Sequence, residues 1–345
     1  MTAQVAERPA VRERGHTTDV AGVLILAACV LWSLISAAGR EARPEGVVLA
    51  VLAVAAGYAV GRIVGSLLPV AAATAAALGA AAFALLSGDG APGTVDVAVP
   101  LGRTGATTAL LVLAAGAACC AAAAARPGPL RRALRALAVA VAVTAAVLGS
   151  VVGVIASLGV LLCSLAAVRM RRRVLGLAGL ALAAGLVAGG SWAVAENALP
   201  EGPASSTEGL LTGHRVGLWR DAAAMAHENP VRGAGPDRFG ELSPTAQQTL
   251  YADGKPHSAV LQQAAEQGVP GVVLLGAAYG WLLCGLASSP RSTPVVLTAA
   301  ATLTALAVLA AVGNALSFTP VTAAAGLLAG LATAGTVPDR NVDDA

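Results

Sequence analysis

ALAVAVAVTAAVLGSVVGVIASLGVLLCSLAAV, residues 136–168, is a run without a charged side chain that is too long for one helical crossing of a membrane. One crossing needs roughly 20 apolar residues. We therefore predict two spans, 133–149 and 151–168, with a break at Gly149-Ser150. Arginine clusters flank the run on both sides, and two crossings bring both clusters to the same side of the bilayer, as the positive-inside rule requires.

The rest of the chain has the same character. Of its 345 residues 57% are hydrophobic and only 12% are charged, whereas soluble domains average about 25% charged residues. This composition predicts an all-α, polytopic integral membrane protein with about ten transmembrane helices. The predicted spans are 20–39, 46–61, 67–87, 104–125, 133–149, 151–168, 174–194, 269–287, 294–313 and 318–336. The first has spanning length and no clear A-x-A site follows it, so we expect a retained span rather than a cleaved signal peptide.

The distribution of cations predicts the orientation. With the N-terminus inside, 14 of the 22 Lys and Arg residues fall in cytoplasmic segments and three fall in short outer loops. This bias places both termini in the cytoplasm of a multi-pass cell-membrane protein and the loop 195–258 outside. The predicted organisation is a tail (1–19), seven spans (20–194), the extracytoplasmic loop (195–258), an exit helix with three spans (259–336) and a tail (337–345).

Several function classes find no support in the sequence. A net charge of +3 is too small to imply a nucleic-acid partner. The five cysteines all lie in apolar runs, where they behave as small hydrophobic residues. The chain has no HExxH, DxD-type, Walker or GxSxG motif, and we expect neither a metal nor a cofactor.

The loop 195–258 is where chemistry is expected, because it holds three of the four histidines. Apolar residues at three- and four-residue spacing predict an amphipathic helix over about 209–228, which Asn229-Pro230 ends. Ser258 is placed to cap a helix over 259–267, and Gly268 with Pro270 is placed to end it.

An ordered set of residues in this region resembles the signature loop of the O-antigen ligase / O-antigen polymerase superfamily. The resemblance covers about 60 residues, 213–273. It rests on Arg215 with Trp219, Pro230-x-x-Gly233-x-Gly235-Pro236-x-x-Phe239, His257-Ser258-x-x-Leu261, and Glu266-x-Gly268-x-x-Gly271. Two features depart from the family pattern. Many members have His-Asn where this chain has His257-Ser258, and many have a Ser-Arg pair where this chain has Ser150-Val151.

The resemblance implies a membrane glycosyltransferase of the C-type class, which works without a metal. Its partners would be the lipid bilayer, a polyprenyl-diphosphate-linked glycan donor and a glycan or lipid acceptor with a hydroxyl group on the outer side. In the family, residues matching Arg215 and His257 are functional. An arginine suits a diphosphate leaving group through bidentate, charge-assisted hydrogen bonds. A histidine suits the acceptor hydroxyl because a neutral imidazole can take its proton.

The remaining candidate binding residues each have two interpretations. Arg232 and Arg238 could hold phosphate, or could simply be solvated or meet lipid headgroups. The N–H groups around Gly233 and Gly235 could cradle a phosphate, or form a tight turn near the membrane. Trp219 could stack on a sugar, or anchor its helix at the interface. Glu266 could be a second acid or base, although a structural role is favoured.

Two functions from other classes stay open beside the transferase. One is a transporter or flippase of lipid-linked glycans, although the predicted spans hold few of the polar residues that line such pathways. The other is a non-catalytic scaffold that binds the glycan lipid. Within the transferase class the sequence does not choose between ligase and polymerase.

Overall fold

The computed structural model describes residues 7–87, 105–196, 213–248 and 254–335, with side chains from Thr17 onward. Within those ranges every regular element is a helix. The α-helices are α1 (Glu7–Ala37), α2 (Glu45–Leu67), α3 (Pro69–Leu86), α4 (Gly105–Ala124), α5 (Pro129–Val147), α6 (Val151–Ala167), α7 (Arg173–Ala195), α8 (Gly213–Glu228), α9 (Phe239–Leu242), α10 (Pro244–Gln247), α11 (Ala259–Ala287), α12 (Thr293–Ala311) and α13 (Thr319–Thr333), with a 3₁₀-helix at Ala315–Ser317.

All ten predicted spans fall on helices, and seven of these helices are long and apolar enough to cross a membrane. The seven are the Thr17–Ala37 part of α1 together with α2, α3, α4, α7, α11 and α12. The other three predicted spans lie on α6 and α13, which are shorter apolar helices, and on α5, which carries three arginines in its first two turns. The chain is a membrane protein whose described part is all-helical, and by length and composition seven of the described helices are clear spans.

The break inside the long apolar run lies where the sequence predicts it. Gly149 has φ +72, a left-handed conformation that ends α5. Ser150 then caps α6 by accepting a hydrogen bond from the Gly153 N–H at 3.1 Å. The Ser150 hydroxyl also lies 2.9 Å from that of Thr108 and is buried. The residue at the place of the family's Ser-Arg pair therefore ties α6 to α4.

Long-range contacts sort the helix ends into two groups. At one end, here called the arginine end, Arg62 pairs with Asp19 at 3.0 Å and Arg173 donates to the Ser289 carbonyl at 2.9 Å. At the other, the loop end, the Arg43 N–H donates to the Pro236 carbonyl at 3.0 Å. The helices therefore run up and down between the two ends, in the alternation that the predicted spans require.

Glycines let α2 and α13 touch backbone to backbone. A Cβ placed on Gly61 would lie 2.3 Å from the Leu327 carbonyl oxygen, and one on Gly330 would lie 2.2 Å from that of Tyr58. Gly57 and Gly326 approach the opposite backbone as closely. Small residues four apart on both helices are the usual device for close packing in lipid. The buried centre of the bundle is formed by α4 and α12.

We expect Gly330→Leu to destabilise the bundle by about 3 kcal/mol, because no rotamer keeps its Cβ away from the Tyr58 carbonyl. The measurement is the melting temperature of the detergent-solubilised protein, followed by size-exclusion chromatography after heating. Gly79→Leu on α3 is the matched control, since nothing lies within 4 Å of a Cβ at Gly79. Equal melting temperatures for the two variants would contradict the packing described for α2 and α13.

Candidate functional site

A small hydrophobic core holds α8 against α11 and the end of α7 at the loop end. Its buried members include Trp219, Ala222, Phe239, Leu261 and Ala265. Helix α8 ends at Glu228, directly before Asn229-Pro230, as the sequence predicts. Its predicted beginning at 209 lies outside the described residues, which resume at Gly213.

Trp219 belongs to this core rather than to a surface. Its side chain is only 1% exposed. In this structure the indole packs within the core, which favours a packing role, and the two predicted roles for Trp219 stay predictions. The physical reason is that α8 is covered on this side by α11, a contact that periodicity along one helix does not reveal.

A backbone clasp joins the turn after α8 to the start of α11. The Ala234 N–H donates to the Ala265 carbonyl at 2.7 Å, and the Val269 N–H donates to the Pro230 carbonyl at 2.8 Å. Gly268 interrupts α11 with φ +69 and ψ −165, which frees the backbone groups that the clasp uses. The break that the sequence predicts at Gly268 is confirmed.

The spacing of the glycine motif follows from this clasp. A Cβ on Gly233 would lie 2.3 Å from the Glu266 carbonyl carbon, and one on Gly268 would lie 2.5 Å from the Pro230 carbonyl oxygen. The Gly233 N–H donates to Asn229 at 2.9 Å and the Gly235 N–H to Glu266 at 2.9 Å, both at backbone carbonyls. Since these N–H groups are engaged by protein, the geometry favours the tight turn over a phosphate cradle for Gly233 and Gly235.

The arginines of the turn make contacts that the sequence did not suggest. Arg232 donates to the carbonyls of Ile35 and Ala38, the latter at 2.9 Å, and so caps the C-terminal end of α1. Arg238 lies 3.6 Å from the carboxylate of Glu241, three residues further on. Arg232 therefore docks the loop onto the bundle, and sequence reasoning missed this because its partners are carbonyls almost 200 positions away.

Glu266 packs beneath the turn after α8 and accepts a hydrogen bond from its backbone. It is 2% exposed and lies in the polar part of α11 before the Gly268 break, outside the predicted span 269–287. The Asp237 N–H donates to its carboxylate, and the Gln262 amide lies 3.3 Å from it. The buried carboxyl is thus held by hydrogen bonds from the turn and from its own helix. The contacts support the structural interpretation.

Arg215 and His257 are placed by the same hydrophobic core. Arg215 lies one helical turn before Trp219, and His257 lies four residues before Leu261. Because Trp219 and Leu261 pack in one cluster, α8 and the start of α11 hold both candidates at the loop end. Arg215 donates to the Val312 carbonyl at 3.3 Å, at the C-terminal end of α12.

His257 has an unusual backbone. It is partly exposed, with φ +52, a left-handed conformation that few non-glycine residues adopt. Ser258 follows as the cap of α11, accepting from the Leu261 N–H at 3.4 Å. The cap predicted at Ser258 is confirmed, and the chain turns sharply at His257 to enter the helix.

The other loop histidines have different surroundings. The His227 ring lies 2.6 Å from the Glu196 carboxylate and edge-on to Trp192, so it links α8 to α7. His214 is exposed at the start of α8. Within the described ranges, no three His, Cys, Asp or Glu side chains are grouped closely enough to hold a metal ion.

Residues 136–276 match the model of the O-antigen ligase family. The matched range begins in α5 and ends in α11, so it contains the loop core, the clasp and the two candidates Arg215 and His257. No curated protein matches the chain. The family match agrees with the resemblance carried by the loop motif, and seven helices are suited to cross a membrane. Residues 136–276 of this membrane protein are therefore similar to the O-antigen ligase family.

Proposed function

We propose that the chain is a membrane glycosyltransferase that moves a glycan from a polyprenyl-diphosphate donor to an acceptor hydroxyl on the outer side of the membrane. The observation that carries the proposal is the placement of Arg215 and His257, inside the ligase domain, on two elements that share one hydrophobic core. A cation and a proton acceptor held at the same end of the bundle are what a diphosphate leaving group and a hydroxyl nucleophile require.

The charge distribution supports an outward-facing site. Three arginines make contacts between elements at the arginine end. They are Arg62 with Asp19, Arg173 with the Ser289 carbonyl, and Arg291 with the Gly65 carbonyl. Under the positive-inside rule this end faces the cytoplasm. The loop end, which carries Arg215 and His257, then faces outward, where a polysaccharide acceptor would be met.

The proposed reaction assigns one step to each residue. The guanidinium of Arg215 binds the donor diphosphate and stabilises the negative charge that develops there. His257 takes the proton of the acceptor hydroxyl as its oxygen attacks the anomeric carbon. The bond from that carbon to the diphosphate oxygen breaks, polyprenyl diphosphate leaves, and the anomeric configuration inverts. Binding and proton transfer suffice, and no metal ion takes part in the scheme.

The proposal is tested by reconstitution. Purified protein in detergent is given a polyprenyl-diphosphate-linked oligosaccharide and a panel of glycan and lipid acceptors, with and without EDTA. We expect release of polyprenyl diphosphate at the same rate in both conditions, and the product distinguishes ligation from polymerisation. Tight donor binding without turnover on any acceptor would overturn the proposal in favour of a scaffold or a transporter.

A further inference from the structure

A groove opens between α4, α5 and α6 at the arginine end, far from the loop that carries Arg215 and His257. Its volume is about 240 Å³. Its lining combines arginines with apolar side chains, chiefly Arg131, Arg135, Val139, Leu161, Leu165 and Val168.

The two arginines of the groove lie four residues apart on α5 and so share one helix face. Arg131 Nε is buried and has no hydrogen-bond partner among the described residues. In the same part of the chain, neither Arg131 nor Arg135 forms an ion pair. A buried guanidinium N–H without an acceptor costs free energy, which a bound anion would recover.

The sequence segments that form the groove contain no acidic residue that could pair with its arginines. Residues 97–195 contain arginines but not one Asp or Glu. The eight arginines at or after Arg126 in this stretch are Arg126, Arg131, Arg132, Arg135, Arg169, Arg171, Arg172 and Arg173. Charge complementarity therefore favours an anionic occupant.

The walls of the groove indicate which anion. Val139, Leu165 and Val168 are each about half exposed, at 51%, 54% and 53%. Val139 lies one turn further from the arginine end than Arg135, on a surface that a membrane helix presents to lipid. A groove with a cationic mouth and apolar walls open to the bilayer suits a molecule with an anionic headgroup and a hydrocarbon chain.

We propose that this groove binds one anionic phospholipid from the leaflet at the arginine end. Its phosphate lies between Arg131 and Arg135, and one acyl chain lies against Val139 and Leu165. The lipid packs between α5 and the neighbouring helices α4 and α6, and its phosphate accepts a hydrogen bond from the buried N–H of Arg131. This proposal does not depend on the glycosyltransferase reaction.

Native mass spectrometry of the full chain tests the site. Protein is released from mixed vesicles of phosphatidylglycerol and phosphatidylcholine with identical acyl chains, and the retained lipids are counted. We expect wild type to retain one phosphatidylglycerol in preference to phosphatidylcholine. The double variant Arg131→Gln/Arg135→Gln should lower that preference roughly tenfold.

Two further variants separate the groove from general charge. Arg169→Gln/Arg171→Gln removes the same charge at the same end, from exposed positions outside the groove lining, and should keep the preference. Val139→Trp keeps every charge but fills the groove and should lose the lipid. Equal loss in the Arg169/Arg171 variant, or full retention in Val139→Trp, would overturn the site. Displacement of the lipid by millimolar inorganic phosphate would show a soluble-anion site instead.

Discussion

Replacing His257 with asparagine should lower transferase turnover by at least a hundredfold while the protein stays folded and still binds donor. General acid–base groups contribute roughly 10²- to 10⁴-fold, and asparagine cannot accept a proton. Asparagine is the better replacement than alanine, because His257 has φ +52 and asparagine tolerates this conformation well. The measurement is initial release of polyprenyl diphosphate in the reconstituted assay, with melting temperature and donor binding recorded on the same samples.

His214→Asn is the matched control, since it removes an exposed histidine from the same loop. Its turnover should equal that of wild type. Retained turnover in the His257 variant would remove His257 from the reaction. A large fall in melting temperature would instead assign His257 to the sharp turn before α11, with no role in proton transfer.

Features that depend on neighbouring residues could be predicted from the sequence. The break at Gly149-Ser150 follows from the length of an uncharged run and from a glycine that can adopt positive φ. The cap at Ser258 and the interruption at Gly268 follow from the same local rules. The all-helical class follows from the composition, because a chain in lipid must satisfy its backbone hydrogen bonds within each segment.

Contacts between distant parts of the chain could not be predicted. The indole of Trp32 donates to the Gln267 carbonyl at 3.0 Å, across 235 positions. Arg232 reaches α1 in the same way. Backbone carbonyls leave no signature in the sequence, so an arginine that binds them is indistinguishable from one that binds phosphate. The packing of Trp219 against α11 was missed for a related reason, since the helix pattern shows a buried face but not which helix covers it.

The loop motif therefore divides into two groups with different duties. Gly233, Gly235, Glu266 and Gly268 build the clasp, where each is required by a close backbone approach, a tight turn or a buried hydrogen bond. Arg215 and His257 lie outside the clasp, at the ends of the two elements that the core brings together. A family resemblance recognises both groups at once. Only the geometry separates residues that shape the loop from residues available for chemistry.

Replacing Arg215 should then lower turnover more than replacing any other arginine of the loop. Loss of one group that stabilises developing charge lowers turnover by about 10²- to 10³-fold, and we expect this for Arg215→Ala in single-turnover release of polyprenyl diphosphate. Arg215→Lys keeps the charge but loses the bidentate fork, so only part of the rate should return.

Arg220→Ala is the control on the same helix, at an exposed position five residues further on. It should turn over like wild type. The hydrogen bond from Arg215 to the Val312 carbonyl makes a purely structural role testable. In that case both Arg215 variants would lower the melting temperature, and adding saturating donor would restore turnover. A catalytic Arg215 predicts the reverse, an unchanged melting temperature and a turnover deficit that persists at saturating donor, because the missing interaction stabilises the leaving diphosphate rather than the bound substrate.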